Sequence, residues 1–369
     1  MADIITARYV FYGDPDEAEA RAESLAVEQS HEFPRAYAPA VADRSLAHVV
    51  ALRRTADDAV EASIAYPQEL SAYEIPQLLV VLLGNGSLLP DLRLVGVDLP
   101  DKVLRALGGP RLGIRGVRDL VHADGQRALL ATALKPVGLG VADLAEDAYR
   151  FARGGIDVIK DDQGLGNQVW APFDERVPAV AQAVRRAVDE TGVPSLYLPT
   201  FNPPAGQWDH AIELAVESGA HGFLVLPGVT GFDSVRYVRD HTPEDFVVYA
   251  HPAFLGGWTA SRRHGIEPGL LFGELERLVG ADAVIFPSFG GRFSLSEREC
   301  RSIAAHARAD IPGIRPALVS PGGGMNLERL PQLLECYGPD TLLLIGGALH
   351  ADGDVESAAR AFRAAATLD

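Results

Sequence analysis

Cysteine is nearly absent from this chain of 369 residues. Cys300 and Cys336 are the only two, too few for a disulfide framework or a cysteine-based zinc site. Basic side chains are scarce beside acidic ones, 33 Lys and Arg against 50 Asp and Glu. The resulting net charge of −17 disfavours nucleic acid or any other extended polyanion as a partner. A local basic cluster around one phosphate is still compatible with it. Long hydrophobic runs are missing too: the longest purely aliphatic one, Leu78 to Leu83, is far short of a membrane span. Residues 1–13 carry no basic segment followed by an apolar one, so they do not read as an export signal. What is present, 47% hydrophobic and 22% charged residues, is enough to bury a sizeable core. The expectation is a globular protein of the reducing cytoplasm, with no membrane or nucleic-acid partner.

The chain divides into a non-repeating first part, residues 1–122, and a rhythmic second part, residues 123–369. In the first, Ile4 to Tyr12 is β-branched and aromatic and reads as a strand. Asp16 to Gln29 is rich in Ala and Glu with acids in its first turn, and reads as a helix. A further strand is expected over Glu61 to Pro67, followed by the apolar QLLVVLLG at 77–84, which together suggest a small α+β domain. In the second part, apolar runs recur at 128–136, 156–162, 195–201, 221–227, 246–252, 283–289, 315–324 and 341–348. Stretches of helical character separate them. Eight such runs, apolar on both faces, predict an α/β fold in which a (β/α)8 barrel of about 250 residues follows the α+β domain. A doubly wound open sheet is the alternative, but no GxGxxG opens the first unit.

In such barrels the chemistry sits at the carboxyl ends of the strands. There the first run ends in Lys135, the second in Lys160, Asp161 and Asp162, and the fifth in His251. The seventh leads into Ser320, Gly322, Gly323 and Gly324, and the eighth into Gly346 and Gly347. Glycine lets backbone N–H groups approach an anion closely, so two clusters after the last two strands favour a phosphate site, although ordinary tight turns account for either alone. A lysine at the inner end of an apolar strand is costly to bury charged and tends to be functional; the plainer role is an ion pair such as Lys160 with Asp162. Asp161 and Asp162 are adjacent on a strand, so only one of them faces the site. One carboxylate is a weak site for a hard cation, and a carbamylated Lys160 supplies the missing oxygens. His251 is a candidate general base or phosphate contact, and equally a histidine hydrogen-bonded in place. Arg292, on a Gly-flanked loop after the sixth run, is a candidate to close over a ligand. Cys300 reads as a packed small hydrophobe.

These residues resemble the large-subunit family of ribulose bisphosphate carboxylase/oxygenase. GGIDVIKDDQ at 154–163 is similar to the family's GGxDxxKDDE, in which the lysine is carbamylated and ligates magnesium. TALKPVGLG at 132–140 resembles the strand-one motif whose first lysine manages protons, and GPRLGIRGVRD at 109–119 the entry to the barrel. LLGNGS at 82–87 resembles the segment whose asparagine, here Asn85, reaches the partner subunit's active site. RRHGI, SPGGGM and LIGGALH follow in the expected order, over a span of residues 60 to 365. The resemblance implies a ferredoxin-like N-terminal domain, magnesium held by Lys160, Asp162 and Gln163, and a homodimer or oligomer of dimers with its active site at the subunit interface.

The departures bear on function. Gln163 stands where the family has a metal-binding glutamate, and Lys135-Pro136-Val137 replaces a KPK. Gly291 or Arg292 takes the place of the carboxylase lysine on the loop after strand six, and His251-Pro252 replaces a His-Arg phosphate pair. Carboxylation of a bisphosphate is thereby excluded, and enolisation of a phosphorylated ketose is retained. The catalytic set is then Lys135, Lys160 and His251. Asn85, Arg292, Ser320, Gly322, Gly323, Gly346 and Gly347 would bind substrate or phosphate. Among non-carboxylating members the resemblance is to 5-methylthioribulose-1-phosphate isomerases of sulfur salvage. The alternatives are a decarboxylase of a 3-oxo sugar-acid phosphate, and a phosphosugar-binding protein without catalysis. An enolase of methionine salvage is disfavoured by Gln163.

Overall fold

The computed structural model describes residues 3–123, 127–291, 293, 295–351 and 353–366. They form two compact units: one of residues 1–109, 254–271 and 311–314, the other of residues 110–253, 272–310 and 315–369.

The first unit is built on a five-stranded sheet. Strands β1 (Ile4–Tyr12), β2 (His48–Ala56), β3 (Ala59–Pro67) and β4 (Leu92–Asp98), with helices Ala18–Glu28 and Ile75–Leu83, follow the order βαββαβ. The sheet order β4-β1-β3-β2 with antiparallel neighbours is that of a ferredoxin-like domain. A two-residue strand, Gly265–Ile266, adds itself in parallel to β4. Strict alternation along β1 sends Ile5, Ala7, Tyr9 and Phe11 into the core, as its sequence predicts. Tyr9 donates to Leu82 O at 2.6 Å and pairs with the buried Tyr66 hydroxyl at 3.1 Å. The apolar run at 77–84 is helical: Ile75, Leu78, Val81 and Leu82 bury one stripe at helical spacing.

The second unit is the barrel. Its strands are β5 (Leu129–Leu134), β6 (Val158–Asp161), β7 (Leu196–Leu198), β8 (Thr200–Phe201), β9 (Gly222–Val225) and β10 (Val247–Ala250), and then, past the β11 of Gly265–Ile266, β12 (Ala283–Pro287), β13 (Leu318–Gly322) and β14 (Leu342–Ile345). Each of the eight expected runs holds barrel strand. The third is split at Pro199, which has no N–H for the ladder. Its first piece pairs with β6 and its second with β9, so the parallel sheet closes on itself. Inward positions repeat every second residue, and Leu129, Ala131, Val158, Leu196, Leu198, Leu224, Val247, Tyr249, Ala283, Ile285, Leu318 and Leu342 fill the barrel with one apolar core.

The helix Gly113–Leu120 belongs to this unit rather than to the N-terminal one: Val117 and Val121 join the barrel core. Its entry is fixed by Asp282, which accepts from Leu112 N and Gly113 N at 2.8 Å each and from Val248 N at 2.9 Å. The division therefore falls at 109/110 and not at 122/123, because this helix is amphipathic and its apolar face needs the barrel. Asp157 ties the same amino-terminal end. It takes both arms of Arg127 at 2.7 Å, Arg363 at 3.0 Å and Leu130 N at 2.8 Å.

Candidate active site

The inward alternation that packs the core also builds the site. Continuing each strand by two residues from its last core position leads from Val158 to Lys160 and Asp162, from Tyr249 to His251, and from Leu318 through Ser320 to Gly322. All the strands run the same way, so these residues meet at the carboxyl rim. β6, β5, β14, β13 and β12 are consecutive neighbours in the sheet. Their ends place Lys160, Lys135, Gly346, Gly322 and the loop after β12 side by side.

Lys160 is 1% exposed, and its Nζ donates to Asp161 O at 3.1 Å. Burial, reinforced by the nearby Lys135 cation and opposed by Asp162 and Asp161, pushes its ammonium down to about 8. Lys135 follows β5, is half exposed, and its ammonium pairs with the Asp162 carboxylate. Burial pushes the Asp162 carboxyl up. The Lys135 contact, the Gly164 N–H at 2.9 Å and the Lys160 charge outweigh that and hold it below the usual carboxylate range. Asp161, one residue earlier, faces the other way. It accepts from Arg176 Nε at 3.2 Å, the Tyr197 hydroxyl at 3.0 Å and Thr200 N at 3.2 Å, and is thus committed to structure. Gln163 is half-buried on the loop that follows.

His251 accepts from Ala253 N on Nδ1 at 3.1 Å, which leaves its proton on Nε2. Burial, with the Lys160 cation next in weight, pushes its imidazolium down to about 3. With Lys160 as the free amine it is therefore a neutral imidazole at physiological pH, with Nδ1 accepting and Nε2–H as its donor. His251 follows β10, and Lys160 and Asp162 stand at the end of β6, parallel strands of the same barrel, while Lys135 pairs with Asp162.

The glycines divide by role. Gly323 has φ +95° and Gly324 φ +68°, a left-handed pair that side chains rarely adopt. A Cβ on Gly323, Gly346 or Gly347 would meet nothing within 4 Å, so all three border open space. Gly322 closes β13 and accepts from Ser288 N at 2.8 Å. Ser320 is fully buried; its hydroxyl donates to Leu342 O at 2.7 Å and accepts from Tyr249, so it braces the barrel interior. Arg292 lies outside the described residues. Asn85 is in the first unit, where its amide donates to Glu28 Oε1 at 2.9 Å and Glu32 Oε1 at 3.1 Å. The buried Cys300 donates its thiol to Pro287 O at 3.6 Å.

The donor set decides what metal this mouth could hold. Among the described residues no three His, Cys, Asp or Glu side chains converge. Asp162 gives one carboxylate, Gln163 an amide oxygen, and Lys160 gives oxygen only as a carbamate. That combination fits a hard cation such as magnesium, and without the carbamate it does not. An amine near pKa 8 is neutral often enough at physiological pH to take up CO2.

Residues 113–367 match the model of the ribulose bisphosphate carboxylase large chain, catalytic domain. The chain belongs to this family. A 5-methylthioribulose-1-phosphate isomerase of Rhodospirillum rubrum is 39% identical over 95% of this chain and 92% of its own. A 2,3-diketo-5-methylthiopentyl-1-phosphate enolase of Geobacillus kaustophilus is 32% identical over 82% of this chain and 73% of its own. Among solved structures, the octameric ribulose-1,5-bisphosphate carboxylase/oxygenase of Pyrococcus horikoshii superposes with a TM-score of 0.90 at 27% identity, over 99% of this chain and 88% of its own. Members of the family generally use Mg2+ with a carbamylated lysine. No helix among the described residues is long and apolar enough to cross a membrane.

Proposed function

We propose that this chain enolises a phosphorylated ketose and carries out a 1,3-proton transfer, the reaction of a 5-methylthioribulose-1-phosphate isomerase. The observation that carries the reading is the gathering of Lys160, Asp162, Lys135 and His251 at the carboxyl ends of one barrel's strands, together with glycine turns that border open space. Lys160 as its carbamate, Asp162 and Gln163 would hold magnesium, which when bound supplies Lewis-acid polarisation of the substrate's carbonyl and hydroxyl oxygens. Lys135, half exposed and paired with Asp162, would carry the proton. Asp162 keeps that ammonium at the mouth. His251 presents Nε2–H to the oxygen on which negative charge grows. The N–H groups of the turns after β13 and β14 hold the phosphate, so binding at a non-reacting end orients the reacting one.

The support for proton transfer over carboxylation is that the scheme needs no second electrophile, and that a relative bearing the isomerase name aligns with nearly the whole chain. The chain is further proposed to act in the cytoplasm as a homodimer or oligomer of dimers, with Asn85 reaching the partner's site. The octameric relative and the LLGNGS segment support that assembly.

The test is proton NMR of the protein with magnesium and 5-methylthioribulose 1-phosphate in deuterated water. Deuterium entering the substrate carbons with new pentulose phosphate signals is the expected result. No exchange, followed by CO2 release from a 3-oxo sugar-acid phosphate, would replace the isomerase with the decarboxylase. Gly346→Val should raise KM at least about tenfold with a smaller change in kcat, since its side chain would enter the phosphate space.

A further inference from the structure

The loops after β12 and β13 are joined by a side chain that the scheme above does not use. Arg329 precedes the helix Leu330–Tyr337. Its Nη2 donates to Phe289 O at 2.6 Å and its Nη1 to Gly324 O at 3.1 Å. The guanidinium lies 5.8 Å from the centre of the Phe289 ring, and the residue's own N–H donates to Asn326 Oδ1 at 2.9 Å. C=O and N–H oppose each other across a trans peptide, so holding these two carbonyls also sets the directions of Gly290 N–H and Met325 N–H. Gly290 and Gly324 are both left-handed, with φ +70° and +68°. A Cβ on Gly290 would stand 2.9 Å from Arg329 Nη2, and one on Gly324 3.1 Å from Nη1. The two glycines are thus shaped around one guanidinium.

Its charge is the second observation. In a chain with 50 acidic residues, Arg329 forms no ion pair among the described residues; the cation rests on carbonyl oxygens beside the glycine turn. A cation without a carboxylate, bordering backbone N–H groups, suits an anion that arrives with the substrate.

We propose that Arg329 is a positioning residue of the phosphate site. It locks the loop after β12 to the turn after β13 and leaves positive charge beside them, so a phosphoryl group settling on the turn orders both loops together. This rests on the reading of that turn as phosphate-holding.

Hydrogen–deuterium exchange of the full chain, with and without inorganic phosphate, tests it on two peptides, 286–291 and 320–325. In the unaltered protein phosphate slows exchange in both. Arg329→Ala should bind inorganic phosphate about tenfold more weakly. At saturating phosphate it should protect 320–325 alone. Arg329→Lys keeps the charge without the two-armed grip, so it should regain affinity but not the joint protection. Joint protection in either variant overturns the coupling and leaves the phosphate reading standing. If phosphate protects neither peptide in the unaltered protein, the phosphate reading fails and this inference with it. Should Arg329→Ala not fold, Arg329→Lys decides by the same pair of peptides.

Discussion

On the proposed function, Lys160 sets stability against activity, and Lys160→Met makes the opposition measurable. Burial lowers its ammonium from 10.5 to about 8, so below pH 8 the fold holds a charge that it disfavours relative to the unfolded chain. At about 1.4 kcal/mol per pKa unit this is a penalty on the order of 3 kcal/mol. The folded chain binds this proton less tightly than the unfolded one. The penalty is therefore complete below pH 8, falls as pH rises from 8 towards 10.5, and is gone above it. Methionine has a similar reach and no charge, and Asp162 would still have Lys135 as its partner. Urea unfolding of both proteins, in chelator and CO2-depleted buffer, should show Lys160→Met more stable by about 3 kcal/mol at pH 7, with the gain nearly gone by pH 10.5. The same substitution should abolish turnover. A variant less stable than its parent at pH 7, or a gain that does not shrink with pH, would refute the account of Lys160 as a buried, disfavoured charge.

Two other predictions concern opposite ends of the barrel. With Lys160 as the free amine, His251 is held neutral, its imidazolium pushed down to about 3, so in chelator and CO2-depleted buffer its ring protons should show no NMR titration between pH 5.5 and 8. A histidine titration near 6.5 that vanishes in His251→Asn would overturn the assignment of Nε2–H as a donor. At the other end, Asp157→Asn removes a buried carboxylate from between Arg127 and Arg363. It should cost about 3 kcal/mol in denaturant unfolding and leave KM for the phosphorylated substrate unchanged in the folded fraction.

The barrel was legible because its strands are buried on both faces. The eight apolar runs needed no partner information, and the residue types at their carboxyl ends were conspicuous against that background. The order of the first unit was less so. β2 is exposed along almost its whole length, so HVVALRRTA shows none of the alternation that marks β1. β4 carries Gly96, over which the Arg8 guanidinium lies, and a glycine within LRLVGVD weakens a strand reading. Ser320 shows the limit of position alone. It belongs to the expected run but lies in the middle of β13, buried, where Tyr249, 71 residues earlier, engages its hydroxyl. Arg329 gave no local signal; what the sequence did carry was its imprint, the paired glycines of FGG and PGGG that make room for it.

Asp161 and Asp162 are chemically identical neighbours with unrelated duties, because a strand turns successive side chains to opposite faces. One is walled in by Arg176, Tyr197 and the Thr200 amide; the other faces the mouth with Lys135. Under the proposed function, loss of either should abolish activity. Measured as protein abundance, however, the two should diverge: changes at Asp161 should deplete the folded protein, and changes at Asp162 should leave folded but inert molecules. On that proposal, one dipeptide joins a requirement for existing to a requirement for acting.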